Sequence, residues 1–176
     1  MKATGIIRRI DELGRIVIPK EMRKSLRIKE GENLEIFVDS NDNIVLKKYS
    51  AIKNLEDLAQ SLTEAINSFV KKNVIITDND TILAVSGSLK KNLLSKPISE
   101  ELESKILRRE ELLEHHSKKI FLTLDYGIEG TYTVSPIIVN GDSVGIVMIF
   151  SDKEVIDNND FKLVQIAAKF LNNHLE

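Results

Sequence analysis

The sequence contains no cysteine and no tryptophan, and aromatic residues make up only 5% of its 176 positions. Without cysteine, the chain has no disulfide framework, no thiolate zinc site and no cysteine nucleophile. No apolar run approaches the roughly 20 residues of a membrane-spanning helix, and the N-terminus lacks the apolar core of a signal peptide. We therefore expect a cytoplasmic protein without a membrane partner, whose core is built from Ile, Leu and Val.

The net charge of −2 hides a strong asymmetry along the chain. Residues 1–29 carry nine Lys and Arg residues against three Asp and Glu residues, a net charge of +6. Residues 54–176 carry a net charge of −6. A basic N-terminal segment is typical of nucleic-acid binding, because its cations neutralise phosphates. Charge alone leaves open the alternative of an ordinary solvated surface.

The first fifty residues have the pattern β-β-α-β-β. Gly14 suits a turn that needs positive φ, and Pro19 suits the first position of a short helix. The predicted elements are strands over 4–10, 15–18, 34–38 and 44–48 and a helix over 20–26. A domain this small usually needs disulfides, a metal or a partner chain. Because cysteine and a visible metal-ligand cluster are both lacking, the pattern predicts a homodimer.

Residues 55–176 have the pattern of an antiparallel sheet of about five strands flanked by helices. Ser99 is a candidate N-cap, and Asn140-Gly141 between apolar runs predicts a hairpin. The predicted helices cover 55–70, 99–114 and 159–175, and the predicted strands cover 74–77, 82–86, 119–124, 131–139 and 144–150. The last helix is apolar on two sides, which indicates two partners: its own sheet and a second subunit.

The segment from Thr4 to Lys24, TGIIRRIDELGRIVIPKEMRK, resembles the DNA-binding domain of the AbrB family of transition-state regulators. The resemblance runs to about Lys53, and in that family two chains interlace their hairpins into one small barrel. The order and length of the whole chain resemble family members in which a GAF domain, a sensing fold related to PAS, follows this head. The resemblance implies an α+β protein. Residues 1–53 would form a swapped-hairpin β-barrel as a dimer, and residues 54–176 a GAF/PAS-like antiparallel sheet flanked by helices.

The resemblance also implies the DNA-contacting residues. It places them at Arg8, Arg15, Arg23 and Lys24, with Lys2 and Arg9 as secondary flanking cations. The best-known family member has arginine at the position of Lys24. Lysine keeps the charge but lacks the planar fork of arginine, so we expect a phosphate contact there rather than a bidentate base contact.

The implied function is activation and repression of sporulation genes in the forespore, close to the nucleoid. The implied partners are double-stranded promoter DNA and the protein itself, as a dimer through the N-terminal domain and a tetramer through the C-terminal helices. The GAF domain either senses an unidentified small molecule or serves only for assembly. An antitoxin is a third possibility, because antitoxins also use this head, although they usually carry a short disordered tail.

We expect neither enzymatic activity nor a cofactor. GAF-type sulfoxide reductases and bilin-binding GAF domains require cysteine, which this chain lacks. His115 and His116 are adjacent and face different ways on a regular element, which argues against a metal pair. Asp78-Asn79-Asp80 resembles the start of a calcium loop but lacks its later ligands, so we interpret it as a turn.

Overall fold

The computed structural model describes residues 5–175, and the chain divides into two units, with the boundary in sequence between Tyr49 and Ser50. The first unit contains helix α1 (Lys20–Ser25) and a hairpin of β1 (Leu34–Val38) and β2 (Ile44–Lys48). These bounds confirm the two later strands predicted from the sequence, and the helix ends one residue earlier than predicted.

The two strands predicted ahead of Pro19 do not form within residues 5–18. The turn between them is present, since the Gly14 N–H donates to the Asp11 carbonyl at 2.9 Å and the Asp11 N–H to the Arg15 carbonyl at 3.0 Å. A strand requires a ladder of backbone hydrogen bonds to a neighbouring strand. Alternating β-branched residues indicate a suitable side-chain pattern but do not supply the neighbour. The prediction of strands within one chain was wrong for this reason.

The first unit buries very little apolar surface. Among residues 5–49, Pro19 is the only one classed as buried. The facing pairs Ile36–Leu46 and Val38–Ile44 lie across the β1–β2 hairpin, and each of these four side chains is between 41% and 70% exposed. An isolated two-stranded hairpin is at best marginally stable in water. The described part of this unit therefore has an apolar face that no other layer of the same unit covers.

The second unit is built on a five-stranded antiparallel sheet with the order β4-β3-β7-β6-β5. Its strands are β3 (Asn73–Thr77), β4 (Ile82–Ser86), β5 (Leu112–Phe121), β6 (Gly127–Val139) and β7 (Asp142–Ser151). The β6–β7 turn contains Asn140 at φ 49° and Gly141 at φ 86°. Two successive residues at positive φ are what a two-residue hairpin turn requires. The predicted sheet and its hairpin are confirmed.

Helices cover both faces of this sheet. After a 3₁₀ turn at 52–55 they are α2 (Glu56–Val70), α3 (Lys90–Leu93), α4 (Glu100–Leu107) and α5 (Asn158–Leu175). None of the helices described within residues 5–175 is long and apolar enough to cross a membrane. Helix α3 was not predicted, because a single turn has no periodicity to detect.

Alternate residues of each strand feed two separate cores. On β7, Val147 and Ile149 pack with α2 and α5, whereas Met148 and Phe150 pack with α3 and α4. This follows from the two-residue period of a strand, whose successive side chains point to opposite faces. Burying each large aliphatic side chain contributes about 1.5–3 kcal/mol. The second unit therefore completes its hydrophobic core within one chain.

Helix α4 shows where local patterning misleads. The Ser99 hydroxyl accepts a hydrogen bond from the Leu102 N–H at 3.1 Å, which confirms the N-cap. The helix ends at Leu107 rather than continuing to residue 114, because Arg109 adopts positive φ and Leu112 begins β5. The apolar residues on both sides of this break fit one helical pattern, so the sequence-based prediction was too long. The observed strand, β5, is therefore longer than the strand predicted over 119–124 and begins earlier in the sequence.

Candidate nucleic-acid interface

The turn between Asp11 and Arg15 presents the first group of predicted DNA-contacting residues. Oδ1 of Asp11 accepts the backbone N–H of Leu13 at 3.0 Å and that of Arg15 at 2.8 Å. Aspartate favours such turns because its short carboxylate reaches backbone groups a few residues onward. Gly14 adopts φ 76°, and nothing lies within 4 Å of where a Cβ would be. The glycine therefore serves the backbone conformation of the turn.

Arg15 is held by the same carboxylate. Its Nε donates to Oδ2 of Asp11 at 2.7 Å, and the two side chains remain 71% and 42% exposed. The backbone N–H and then the guanidinium of Arg15 lower the pKa of Asp11 below its ordinary value. Asp11 is therefore ionised at neutral pH. An exposed pair of this kind contributes little to stability, so its main consequence is the orientation of the arginine.

Arg8 and Arg9 precede this turn and are exposed. In sequence, Arg8 precedes the turn and Arg15 ends it. Lys2, the other secondary cation, lies outside the described residues.

Arg23 and Lys24 lie in the last turn of α1. Lys24 is exposed and Arg23 is half-buried. The backbone fixes Arg23 on both sides, since its N–H donates to the Pro19 carbonyl at 3.0 Å and its carbonyl accepts from the Ile28 N–H at 2.7 Å. Neighbouring residues on a helix point about 100° apart, so the two cations cover different directions.

The structure thus leaves the four leading cations accessible to solvent and joins one of them to an anion. Within residues 5–49, no hydrogen bond or ion pair links Arg8 or Arg15 to the side chains of Arg23 or Lys24. Sequence reasoning missed Asp11. Its only signal was the spacing of four residues to Arg15 across a turn, which is also common at ordinary surfaces.

Two features of the second unit have structural roles. Oδ1 of Asp78 accepts the backbone N–H groups of Asp80 and Thr81 at 2.8 and 2.6 Å, which confirms the interpretation of this loop as a turn. His115 and His116 lie on β5. Nδ1 of His115 is 3.1 Å from the Ile156 carbonyl, whereas the His116 side chain is almost fully exposed.

Comparison with known proteins identifies the family. A family model described as stage V sporulation protein T C-terminal, transcription factor, matches residues 54–176. Stage V sporulation protein T of Bacillus subtilis (strain 168) is 48% identical over 179 residues, covering 100% of this chain and 99% of that protein. The chain belongs to the stage V sporulation protein T family. By family it is a sporulation transcription factor.

The N-terminal segment of this family member has its own relatives. A model described as antidote-toxin recognition MazE, bacterial antitoxin, matches residues 7–54. Transition state regulatory protein AbrB of Bacillus subtilis (strain 168) is 59% identical over 49 residues, which cover 28% of this chain and 50% of that protein. The resemblance of the basic head to the AbrB family is confirmed.

The second unit of the family member has a GAF-type fold. The GAF domain region of a protein from Geobacter sulfurreducens PCA superposes with a TM-score of 0.53 at 14% identity, covering 70% of this chain and 93% of that chain. At this identity the likeness concerns the fold alone. It confirms an α+β protein with a GAF-type antiparallel sheet flanked by helices.

Proposed function

We propose that this protein binds double-stranded promoter DNA through residues 1–53 and both activates and represses sporulation genes in the forespore cytoplasm. The observation that carries the proposal is the group of solvent-accessible cations at Arg8, Arg15, Arg23 and Lys24. They lie in a segment whose AbrB relative is 59% identical. The acidic GAF-like domain, residues 54–176, does not oppose this role, because its charge belongs to a separate unit.

The DNA-binding form is a dimer with interlaced hairpins. The exposed apolar face of β1 and β2 needs a covering layer, since large apolar patches are rare on monomers. The segments 5–10 and 15–18 have strand-like sequences and lack strand neighbours in one chain. Pairing these segments with a second copy would supply both the missing ladders and the missing layer. The lack of a core among residues 5–49 therefore supports a swapped-hairpin barrel.

The dimer form determines how binding responds to salt. Two copies of the four leading cations give about eight positive groups on one particle. Each phosphate neutralised on duplex DNA adds about −0.9 to the log–log slope of affinity against salt. Arg8, Arg15 and Arg23 supply planar forks that match base edges or phosphates, whereas Lys24 supplies a point charge for phosphate. We expect the affinity for DNA to fall steeply with salt concentration. We also expect part of the sequence specificity to come from DNA shape.

The GAF-like domain serves assembly in this proposal. Val164, Ala167 and Leu171 of α5 are buried against the sheet, whereas Ile166 is 64% and Phe170 38% exposed on the same helix. A helix with a second apolar side fits a second subunit, which supports a tetramer through α5. Both faces of the sheet are closed by buried aliphatic side chains, which favours assembly over the sensing of a small molecule.

The folded second unit also favours a transcription factor over an antitoxin. The model that matches residues 7–54 is described for antitoxins, which usually hold their toxins with a short disordered tail. Here the head is followed by a five-stranded sheet with two buried cores. Such a domain suits self-assembly rather than the wrapping of a toxin surface.

Retardation of promoter DNA tests the binding proposal. We expect Arg15→Ala and Arg23→Ala each to weaken binding about tenfold or more, since an arginine contact to a base contributes about 1–3 kcal/mol. Lys91→Ala is the matched control, because it removes an exposed cation from the second unit. All three variants should keep the wild-type mass by light scattering. Unchanged retardation by both arginine variants would contradict the assignment of Arg15 and Arg23 as DNA-contacting residues.

Light scattering tests the assembly proposal separately. Ile166→Glu places a charge on the exposed apolar side of α5 and should convert tetramers to dimers that still bind DNA. Lys91→Glu introduces a glutamate at an exposed position outside α5 and is the control. A tetramer that survives Ile166→Glu contradicts assembly through this surface.

A further inference from the structure

We infer that Asp11 is a positioning residue, which holds the Arg15 guanidinium in the orientation that recognises specific DNA. The inference rests on the proposed function, because it requires Arg15 to contact DNA. Asp11 is an anion within a segment whose net charge is strongly positive. Its role is therefore not explained by general attraction to phosphates.

The geometry gives the carboxylate two separate tasks. Oδ1 accepts the backbone N–H groups of Leu13 and Arg15, and Oδ2 accepts Nε of Arg15 at 2.7 Å. One oxygen therefore fixes the turn and the other fixes the side chain that leaves it. Both lie in the same planar group, so the orientation of the guanidinium is tied to that of the backbone.

The hydrogen bond through Nε leaves the N–H groups of the two Nη atoms for another partner. The Arg15 side chain is 71% exposed, so these groups are accessible. Bidentate recognition of guanine uses two parallel donors from one guanidinium. A free arginine would lose rotamer entropy on binding, whereas an arginine already held at Nε has lost part of it. Asp11 thereby lowers the entropic cost of a specific contact.

The charge of Asp11 allows the positioning role to be separated from electrostatics. A surface carboxylate near DNA repels every phosphate, so removing it should raise affinity for all sequences alike. Removing a positioning group should lower affinity for the promoter sequence and leave or raise affinity for unrelated DNA. The two roles thus predict opposite signs for promoter binding.

Asp11→Asn is the informative substitution in the full-length protein. The asparagine amide oxygen can still accept the backbone N–H groups of the turn, but the ion pair with Arg15 is lost. We expect about tenfold weaker binding to a promoter fragment, and unchanged or tighter binding to an unrelated duplex of equal length. Glu12→Gln is the matched control, because it removes the same charge from the next exposed residue. It should leave the ratio of the two affinities unchanged.

A double-mutant cycle tests whether Asp11 acts through Arg15. In an Arg15→Ala background, Asp11→Asn should no longer change the ratio of promoter to unrelated affinity. A ratio that falls equally in both backgrounds overturns the inference, as does an Asp11→Asn variant that behaves like Glu12→Gln. If Arg15→Ala itself leaves promoter binding unchanged, the proposed DNA site fails and the inference fails with it.

Light scattering and far-UV circular dichroism check that the variants assemble. Asp11→Ser is the second variant, because a serine hydroxyl also accepts backbone N–H groups without carrying charge. It should give the same loss of promoter preference as Asp11→Asn. If neither variant assembles, Asp11 is a turn residue alone and the positioning role is overturned.

Discussion

The two units of the chain differ in where their apolar side chains lie. Among residues 5–175, all the fully buried large aliphatic side chains belong to the second unit, beginning with Ile52, whereas the hairpin of the first unit leaves an apolar face exposed. Small domains bury a low fraction of their surface and often require a partner. The second unit therefore has its core within one chain, whereas the exposed apolar face of the first is what the proposed second copy would cover.

The two units also differ in net charge. The second unit has two cores and a net negative charge, whereas the first has a net positive charge and hardly any core among residues 5–49. A DNA-binding surface that exists only in the assembled dimer couples affinity to protein concentration. The GAF-type unit, by holding copies together, would keep that surface assembled at low concentration.

Ion pairs give the largest expected contrast between the units. Lys72 Nζ lies 2.6 Å from Oδ2 of Asp160, and their side chains are only 11% and 4% exposed. Lys72→Ala would leave a buried carboxylate without its partner, so we expect a loss of about 3–5 kcal/mol in unfolding free energy. Arg15→Ala breaks an exposed pair of similar length and should cost less than about 1 kcal/mol.

Urea unfolding of the full-length protein, with hydrogen exchange to assign each unit, measures both variants. Equal losses for Lys72→Ala and Arg15→Ala would contradict the view that burial decides the energy of these pairs. A loss in the first unit alone would likewise contradict it.

Apolar truncations test the missing layer of the first unit. Ile149→Ala removes a fully buried side chain and should cost about 2–5 kcal/mol. Ile36 is 69% exposed in one chain, so a monomer predicts a change within about 0.5 kcal/mol for Ile36→Ala. If a second copy covers this face, the loss should exceed about 1 kcal/mol and grow as the protein is diluted.

Leu124→Ala is the control, because Leu124 is a comparably exposed apolar residue in the second unit. It should change the free energy of unfolding by less than about 0.5 kcal/mol at every concentration. If Ile36→Ala changes the free energy of unfolding as little as this control does, no second copy covers Ile36, which contradicts the swapped barrel.

Features fixed by neighbouring residues were predictable from the sequence. The Ser99 cap, the β1–β2 hairpin and the Asn140-Gly141 turn each depend on a few consecutive residues, and the structure contains all three. The two cores of the second unit follow in the same way from the alternation along its strands.

Features that depend on residues far away in sequence, or on a second chain, were not predictable from the sequence. The predicted strands before Pro19 need a neighbour that a single chain does not supply, and the extension of α4 to residue 114 ignored the pairing of Leu112 with Val134 in β6. The Asp11–Arg15 pair is local, but a spacing of four between opposite charges is too common to indicate a role. The family resemblance supplied the cationic positions, and the structure supplied the anion beside one of them.

Two glycines, one in each unit, test whether a residue other than glycine at positive φ costs the same free energy in both units. Gly14 and Gly141 adopt φ 76° and 86°, and neither would bring an added Cβ within 4 Å of another atom. Substitution by alanine therefore adds only the cost of a left-handed conformation, about 1–2 kcal/mol. We expect similar losses for Gly14→Ala and Gly141→Ala in thermal or urea unfolding. A Gly14→Ala variant as stable as the wild type would show that the assembled first unit does not retain this turn.

Two aspartates that accept local backbone N–H groups give the smallest expected effect on stability, one in each unit. Asp39 accepts backbone N–H groups in the β1–β2 turn, and Asp157 accepts those of Asn159 and Asp160 at the start of α5. The pKa of Asp39 is lowered first by the Asn43 side-chain amide, and that of Asp157 first by the Asp160 N–H, from an ordinary value of 3.8.

A carboxyl whose pKa is lower in the folded state stabilises the fold above its unfolded pKa. That stabilisation is lost as the pH falls through the lowered pKa. Asp39→Asn and Asp157→Asn should therefore each be slightly less stable than the wild type at neutral pH, and the difference should shrink as the pH falls below 3.8. Urea midpoints measured from neutral pH to about pH 3 report this change. Because both carboxylates accept hydrogen bonds from local backbone groups, the two variants should show the same dependence of stability on pH, although only Asp157 belongs to a unit with a buried core. A difference that persists unchanged in acid would show that the charge of the carboxylate is not what stabilises these turns.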